Sequence, residues 1–278
     1  MNNKLRSFLL WINLPLCTVL AATGLQIFWP AIYARESANS AAGCYATDIL
    51  DLYLIVPILI VTTVLAMRGS VPALMIWAGT LMSLAYNFMI YTFEIHFNAM
   101  FLAYCAVLGL CIYGLIGVRQ FLATDEVAKT YSVRVPRRLM AATFIFIALS
   151  AAVNELKEDV SSIMSGTIPA GINEAGQRTD PIHVLDLSFL LPAMVIAGVL
   201  LLRRKPLGFV FAPVLTTAMI MISVEVITIV AVLIRRGLTS SWGPALNFGV
   251  AGAILTLLLV WWLYPKRKVT AQTALRLA

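Results

Sequence analysis

The chain has 278 residues, of which 61% are hydrophobic and only 12% charged, with 20 Lys and Arg against 13 Asp and Glu for a net charge of +7. Soluble domains run nearer a quarter charged, so this composition excludes an ordinary soluble globule and points to an integral membrane protein. The basic surplus is explained by membrane orientation, with some attraction to anionic lipid, and no nucleic-acid partner is expected from it.

Apolar runs of about 20 residues cross a bilayer as helices. Eight are expected, over residues 7–29, 49–67, 71–93, 97–118, 139–155, 183–202, 207–234 and 242–264. The first is too long for the apolar core of a signal peptide and ends in the interfacial pair Phe28-Trp29, so it is expected to be a retained helix. The breaks fall at Arg68-Gly69-Ser70, Arg203-Arg204-Lys205-Pro206, Arg235-Arg236-Gly237 and Pro265-Lys266. The junction at 93–97 reads either as a tight turn or as a bend between two helices. On the last span, Ala245, Gly249 and Ala253 form a small-residue face, and Trp261, Trp262 and Tyr264 an aromatic belt.

Lys and Arg collect on the cytoplasmic side of a membrane protein. With the N-terminus inside, that side holds Lys4, Arg6, Arg68, Arg119, Lys129, Arg134, Arg137, Arg138, Arg203, Arg204, Lys205, Lys266, Arg267, Lys268 and Arg276, which is 15 of the 20. Both termini are therefore expected in the cytoplasm of a cell whose inner membrane holds the chain as a multi-pass protein. Cys17, Cys105 and Cys111 fall in spans and Cys44 in an external loop, an arrangement that suggests no disulfide.

An internal repeat is legible. "DILDLYLIVP" at 48–57 aligns with "HVLDLSFLLP" at 183–192, and the same offset places Arg68 on Arg203 without a gap. The fold expected is thus all-α, with eight transmembrane helices in two parallel four-helix repeats related by an axis along the membrane normal. The halves would span 1–120 and 139–278, joined by a basic cytoplasmic linker over 121–138. The pattern from His183 to Leu215, "HVLDL…LP…GVLLLRRKPLG…APVL", resembles that of a family of polytopic bacterial membrane proteins. The resemblance covers mainly the second half and implies membership of that family without implying an activity.

Ionisable residues within spans are costly and mark function by default. Asp48 and Asp51 are expected at the outer end of span two, His183 and Asp186 at that of span six, Glu94 and His96 at the outer junction of spans three and four, and Glu155 at the end of span five. Glu225 is the deepest acid, with no opposite charge in helical reach; Tyr86, Asn87 and Tyr91 are candidate donors to it. The inner halves carry few such groups, Asn13 being the main exception. A polar pocket open to the external face follows. Three-residue spacing puts His183 and Asp186 on one helix face, where imidazole and carboxylate can share a metal or relay a proton. Two simpler roles compete: Asp51 and Asp186 as helix caps, or as ion-pair partners of Arg35, Arg178 or Arg235. Pro57 and Pro192 would kink both helices, freeing the carbonyls of Tyr53 and Ser188.

No nucleotide-binding glycine loop, HExxH, CxxC or GxSxG motif is present, and no cofactor is indicated. Three functions remain open: a transporter of a small solute or ion, a membrane-embedded enzyme using the external His, Asp and Glu residues, and a non-catalytic subunit of a membrane complex.

Overall fold

In the computed structural model, residues 3–122, 124–131 and 136–263 are described. Among them are eight helices long and apolar enough to cross a membrane: α1 (Asn3–Phe28), α2 (Ala38–Met67), α3 (Val71–Phe93), α4 (Phe101–Phe121), α5 (Arg137–Ser165), α6 (Pro181–Leu202), α7 (Pro206–Arg235) and α8 (Gly243–Leu263). The chain is an all-α, multi-pass membrane protein. Arg134, Tyr264, Lys266, Arg267, Lys268 and Arg276, all invoked above for orientation or the aromatic belt, lie outside the described residues.

Two helices extend about ten residues beyond their apolar runs. α2 begins at Ala38 rather than near 49, because Ser37 caps it, its Oγ accepting from the Ser40 amide at 3.1 Å. The Ala, Ser and Gly residues of 38–47 form helix while contributing little hydropathy. α5 continues to Ser165 rather than 155 and ends at Gly166, whose φ of 65° closes the helix with a left-handed residue. Between α3 and α4 the chain makes a true turn over 94–100.

In the first four helices, α1 packs on α2 and α4, and α3 packs on α2 and α4. In the second four, α6 packs on α5 and α7, and α7 on α8. The two sets meet where α3 lies along α7, while the outer part of α2 also rests on α7. Gly79 makes the α3–α7 approach possible: a Cβ there would stand 2.5 Å from both Thr217 Cβ and the Val214 carbonyl oxygen. On α8 the close contact is at Gly252, where a Cβ would stand 2.9 Å from Ser223 Cβ. Ala253, expected on the packed face, is exposed instead. A short helix, Thr124–Tyr131, packs against α7.

A 135-residue offset recurs in the backbone. The π-helical turns Asp51–Ile55 and Asp186–Leu190 are related by it, as are the α-helical segments Val56–Met67 and Leu191–Leu202 that follow. In each turn the amide after the turn reaches five residues back: Val56 N–H donates to the Asp51 carbonyl and Leu191 N–H to the Asp186 carbonyl. Pro57 and Pro192 come directly next and have no amide hydrogen to donate, so the expected kink takes the form of one widened turn in each helix. Gly69 and Arg204, again 135 apart, are both left-handed, with φ of 91° and 53°.

The α2–α3 and α6–α7 turns, carrying Arg68 and Arg203 to Lys205, lie at one end of the bundle. Arg137 at the start of α5 joins them there, its Nη1 donating to the carbonyls of Leu201 and Leu202 at 3.4 Å. The opposite, acid-rich end holds the polar residues of interest. In the arginine-rich half, Asn13 is a packing group: its Oδ1 accepts from Trp77 Nε1 at 3.0 Å in a buried contact. Trp262 is fully buried beside Phe209, whereas Trp261 is exposed.

Candidate functional site

The expected polar residues fall into three groups. The first joins α2, α3 and α7. Asp51 lies 16 residues before Met67, about 24 Å along the helix, and Asn87 and Glu225 lie at comparable heights above the starts of α3 and α7. Set against an apolar thickness of about 30 Å, these groups lie toward the acid-rich end of their helices rather than at mid-depth. Thr47 Oγ1 donates to Glu225 Oε1 at 2.8 Å, and Asn87 Nδ2 donates to Oε2 at 2.5 Å. Of the three donors expected for Glu225, only Asn87 serves it.

Asp48 and Asp51 are 1% and 2% exposed, more buried than a position at a helix end implies. Neither Asp51 nor Asp186 caps a helix, since Ser37 does so for α2 and Asp180 for α6, its Oδ1 accepting from the amides of Ile182 and His183 at 2.9 and 3.1 Å. Among the described residues no arginine pairs with Asp48, Asp51 or Asp186; Arg236 instead stacks over the Tyr45 ring at 4.7 Å. Asp48 Oδ2 accepts from the Tyr33 phenol at 2.7 Å, and the Tyr91 phenol is shared between the Cys44 carbonyl at 3.0 Å and Asp48 Oδ1 at 3.3 Å. Burial, and then the carboxylate beside it, push the Tyr33 phenol far up, so that it stays a donor. Asp51 takes no hydrogen bond among the described residues, and its electrostatic neighbours are the acids Glu225 and Asp48.

Two cavities meet at Glu225. The outer one, about 160 Å³, is lined by Glu94, Tyr91, Gln177, Thr47, Asn87 and Glu225, among others. The inner one, about 10 Å³, lies between Asp51, Ser83, Thr47, Asn87 and Glu225 under an apolar floor that includes Leu54 and Met221. Thr47, Asn87 and Glu225 line both. Partial burial pushes the Glu94 carboxyl up from its ordinary range, with Glu36 adding to the effect and His96 opposing it.

The second group joins α3, α5 and α6. His183 Nδ1 lies 3.0 Å from Asp159 Oδ1, and His183 Nε2 lies 3.9 Å from Asp180 Oδ2. Asp186 Oδ1 accepts from Tyr86 at 2.9 Å, and the Glu155 side chain comes within hydrogen-bonding range of Asp186. Glu155 Oε2 is buried with no hydrogen-bond partner among the described residues. His183 thus turns to Asp159 and Asp180 rather than sharing a hydrogen bond with Asp186. Among the described residues no three His, Cys, Asp or Glu side chains gather in a geometry that holds a metal ion.

The third group is a clasp. His96 donates its backbone amide to Glu36 Oε1 at 2.8 Å, and its Nδ1 lies 3.0 Å from the same oxygen. This ties the α3–α4 turn to the α1–α2 connection beside Glu94 and Ile95, which line the outer cavity.

Sequence reasoning missed Tyr33, Glu36, Thr47, Asp159 and Asp180. Asp180 alone carried a local signal, an aspartate directly before Pro181, the pairing that opens a helix. No protein-family model, curated protein or solved structure matches the chain, so its chemistry rests on these side chains.

Proposed function

We propose that the chain is a transporter of a small cationic solute or ion, loaded from the acid-rich end. The arginine bias supports placing that end outside the cell, with both termini in the cytoplasm and the protein in the inner membrane. The recurring offset supports two parallel four-helix halves, 1–120 and 139–278, with the substrate path at the α3–α7 seam between them.

One observation carries the proposal. Glu225 is the shared wall between an acid-lined outer pocket and a buried inner cavity that holds a second, uncompensated acid. Acids buried between spanning helices without a basic partner are expensive, and in membrane proteins they mark ion and proton routes. An anionic pocket of this size has room for several waters or a small organic cation, and it repels anions.

The test is uptake into proteoliposomes of labelled amines, amino acids, sugars and metal cations, with and without a pH gradient. Glu225→Gln is expected to reduce flux of the accepted solute at least tenfold at equal protein incorporation. Unchanged flux in folded Glu225→Gln protein refutes transport by this route. The His183–Asp159 contact at 3.0 Å favours a second function, acid–base catalysis at the same end. It requires His183→Gln to abolish turnover of a substrate while Glu225→Gln leaves turnover intact.

A further inference from the structure

We infer that the inner cavity is a binding site for one dehydrated hard cation of the sodium or calcium class, held between Asp51 and Glu225. The inference takes its purpose from the transport proposal, but its chemistry stands on the cavity alone.

The two carboxylates are treated differently by their surroundings. Glu225 is held by two donors, Thr47 and Asn87. Asp51 is 2% exposed, lines the cavity and takes no hydrogen bond among the described residues. A carboxylate so buried needs either a proton or a cation. A shared proton requires the two carboxyls to touch, as the Glu155 and Asp186 side chains do within hydrogen-bonding range. Asp51 and Glu225 interact only through space, with a gap of about 10 Å³ between their walls. That gap admits one water-sized particle.

Every polar group around it offers oxygen. Ser83 Oγ spends its hydrogen on the Thr80 carbonyl at 3.1 Å, and Thr47 spends its own on Glu225, so both hydroxyl oxygens keep lone pairs for a ligand. Asn87 uses its amide nitrogen on Glu225, which leaves its Oδ1 without a donor among the described residues. Carboxylate, amide and hydroxyl oxygens without nitrogen or sulfur select hard cations. Magnesium keeps several of its waters, for which the cavity has no room, whereas calcium accepts an all-protein oxygen cage. Calcium would neutralise both acids and sodium one of them, and direct binding separates the two.

The experiment uses the purified full chain in detergent, without solute or gradient. Retention of radioactive sodium and calcium is measured by equilibrium dialysis. Thermal unfolding is followed by tryptophan fluorescence in choline, potassium, sodium, magnesium and calcium chlorides at matched ionic strength. Saturable retention of about one sodium or calcium per chain, with a matching rise in Tm, is expected. Asp51→Asn should abolish both effects, Ser83→Ala should weaken the midpoint several-fold, and Glu158→Gln on the exposed end of α5 should change neither. The inference is overturned if neither cation is retained saturably, or if Ser83→Ala and a folded Asp51→Asn both bind with the wild-type midpoint. Should Asp51→Asn fail to fold, the Ser83→Ala midpoint decides alone. Binding without flux would sink the transport proposal and leave this site standing; flux without binding would do the reverse.

Discussion

Gly79→Ala tests how tightly the α3–α7 seam is set. The added Cβ would stand 2.5 Å from Thr217 Cβ and 2.5 Å from the Val214 carbonyl oxygen, where ordinary contact begins at 3.4 Å. A backbone oxygen cannot rotate away, so α3 and α7 must separate by nearly an ångström. Overpacking of this kind costs about 1–3 kcal/mol. Alanine's better helix propensity recovers up to about 1 kcal/mol. A net loss of about 1–2 kcal/mol is expected, a fall of several degrees in Tm. Gly109→Ala is the control, because a Cβ there meets nothing within 4 Å. The displacement also reaches the site. Gly79, Ser83 and Asn87 lie four residues apart along one face of α3, so separation at Gly79 draws Asn87 away from Glu225. Thermal melting of both variants in detergent, with cation retention measured in parallel, checks the chain of reasoning. A Gly79→Ala protein that melts and binds as the wild type does would refute it.

Three further outcomes follow. Arg204 holds a left-handed conformation that Gly69 adopts at the corresponding turn; Arg204→Gly should raise stability by up to about 1 kcal/mol, read as a higher Tm. Asn13→Leu leaves the buried Trp77 Nε1 without its acceptor and should cost about 1–3 kcal/mol, with no change in cation retention. Glu94 has a folded-state pKa raised above its unfolded value, so its contribution to stability is present at low pH and is lost as pH rises from about 4.3 through the raised value. Glu94→Gln should therefore melt with the wild type at low pH and above it beyond that window; a constant gap at all pH values would contradict this.

The helices were legible because hydropathy is a local property, and the ends of α3 and the start of α8 fall within a residue of the apolar runs. The start of α2 was hidden because Ala38 to Thr47 is helical without being strongly apolar, and with it the burial of Asp48 and Asp51 inside the helix rather than at its start. Glu225 announced itself as an acid in an apolar run, and Asn87 as a donor at the right height. Thr47 could not be found this way: it meets Glu225 across 178 positions, and a threonine in a helix carries no mark of its partner. The same holds for Tyr33 and Asp159, whose partners depend on how the helices are laid side by side. Burial of Asp51 without a donor is likewise a property of packing.

The π turn at Asp51–Ile55 works as a phase shifter. Each residue of an α-helix advances the side chains by about 100°, and a π turn inserts one residue that the α-helical pitch does not count. The residues ahead of the turn are thereby rotated against the apolar segment Val56–Met67, and Asp48 and Asp51 face the bundle because of that offset. Deleting one residue between Leu52 and Leu54 would restore a regular pitch and leave both acids on their present face, whereas closing the turn to α pitch with every residue kept would swing them about 100° around the helix. The composition of α2 alone is thus compatible with two faces for its acids, about 100° apart, and one widened backbone turn chooses between them.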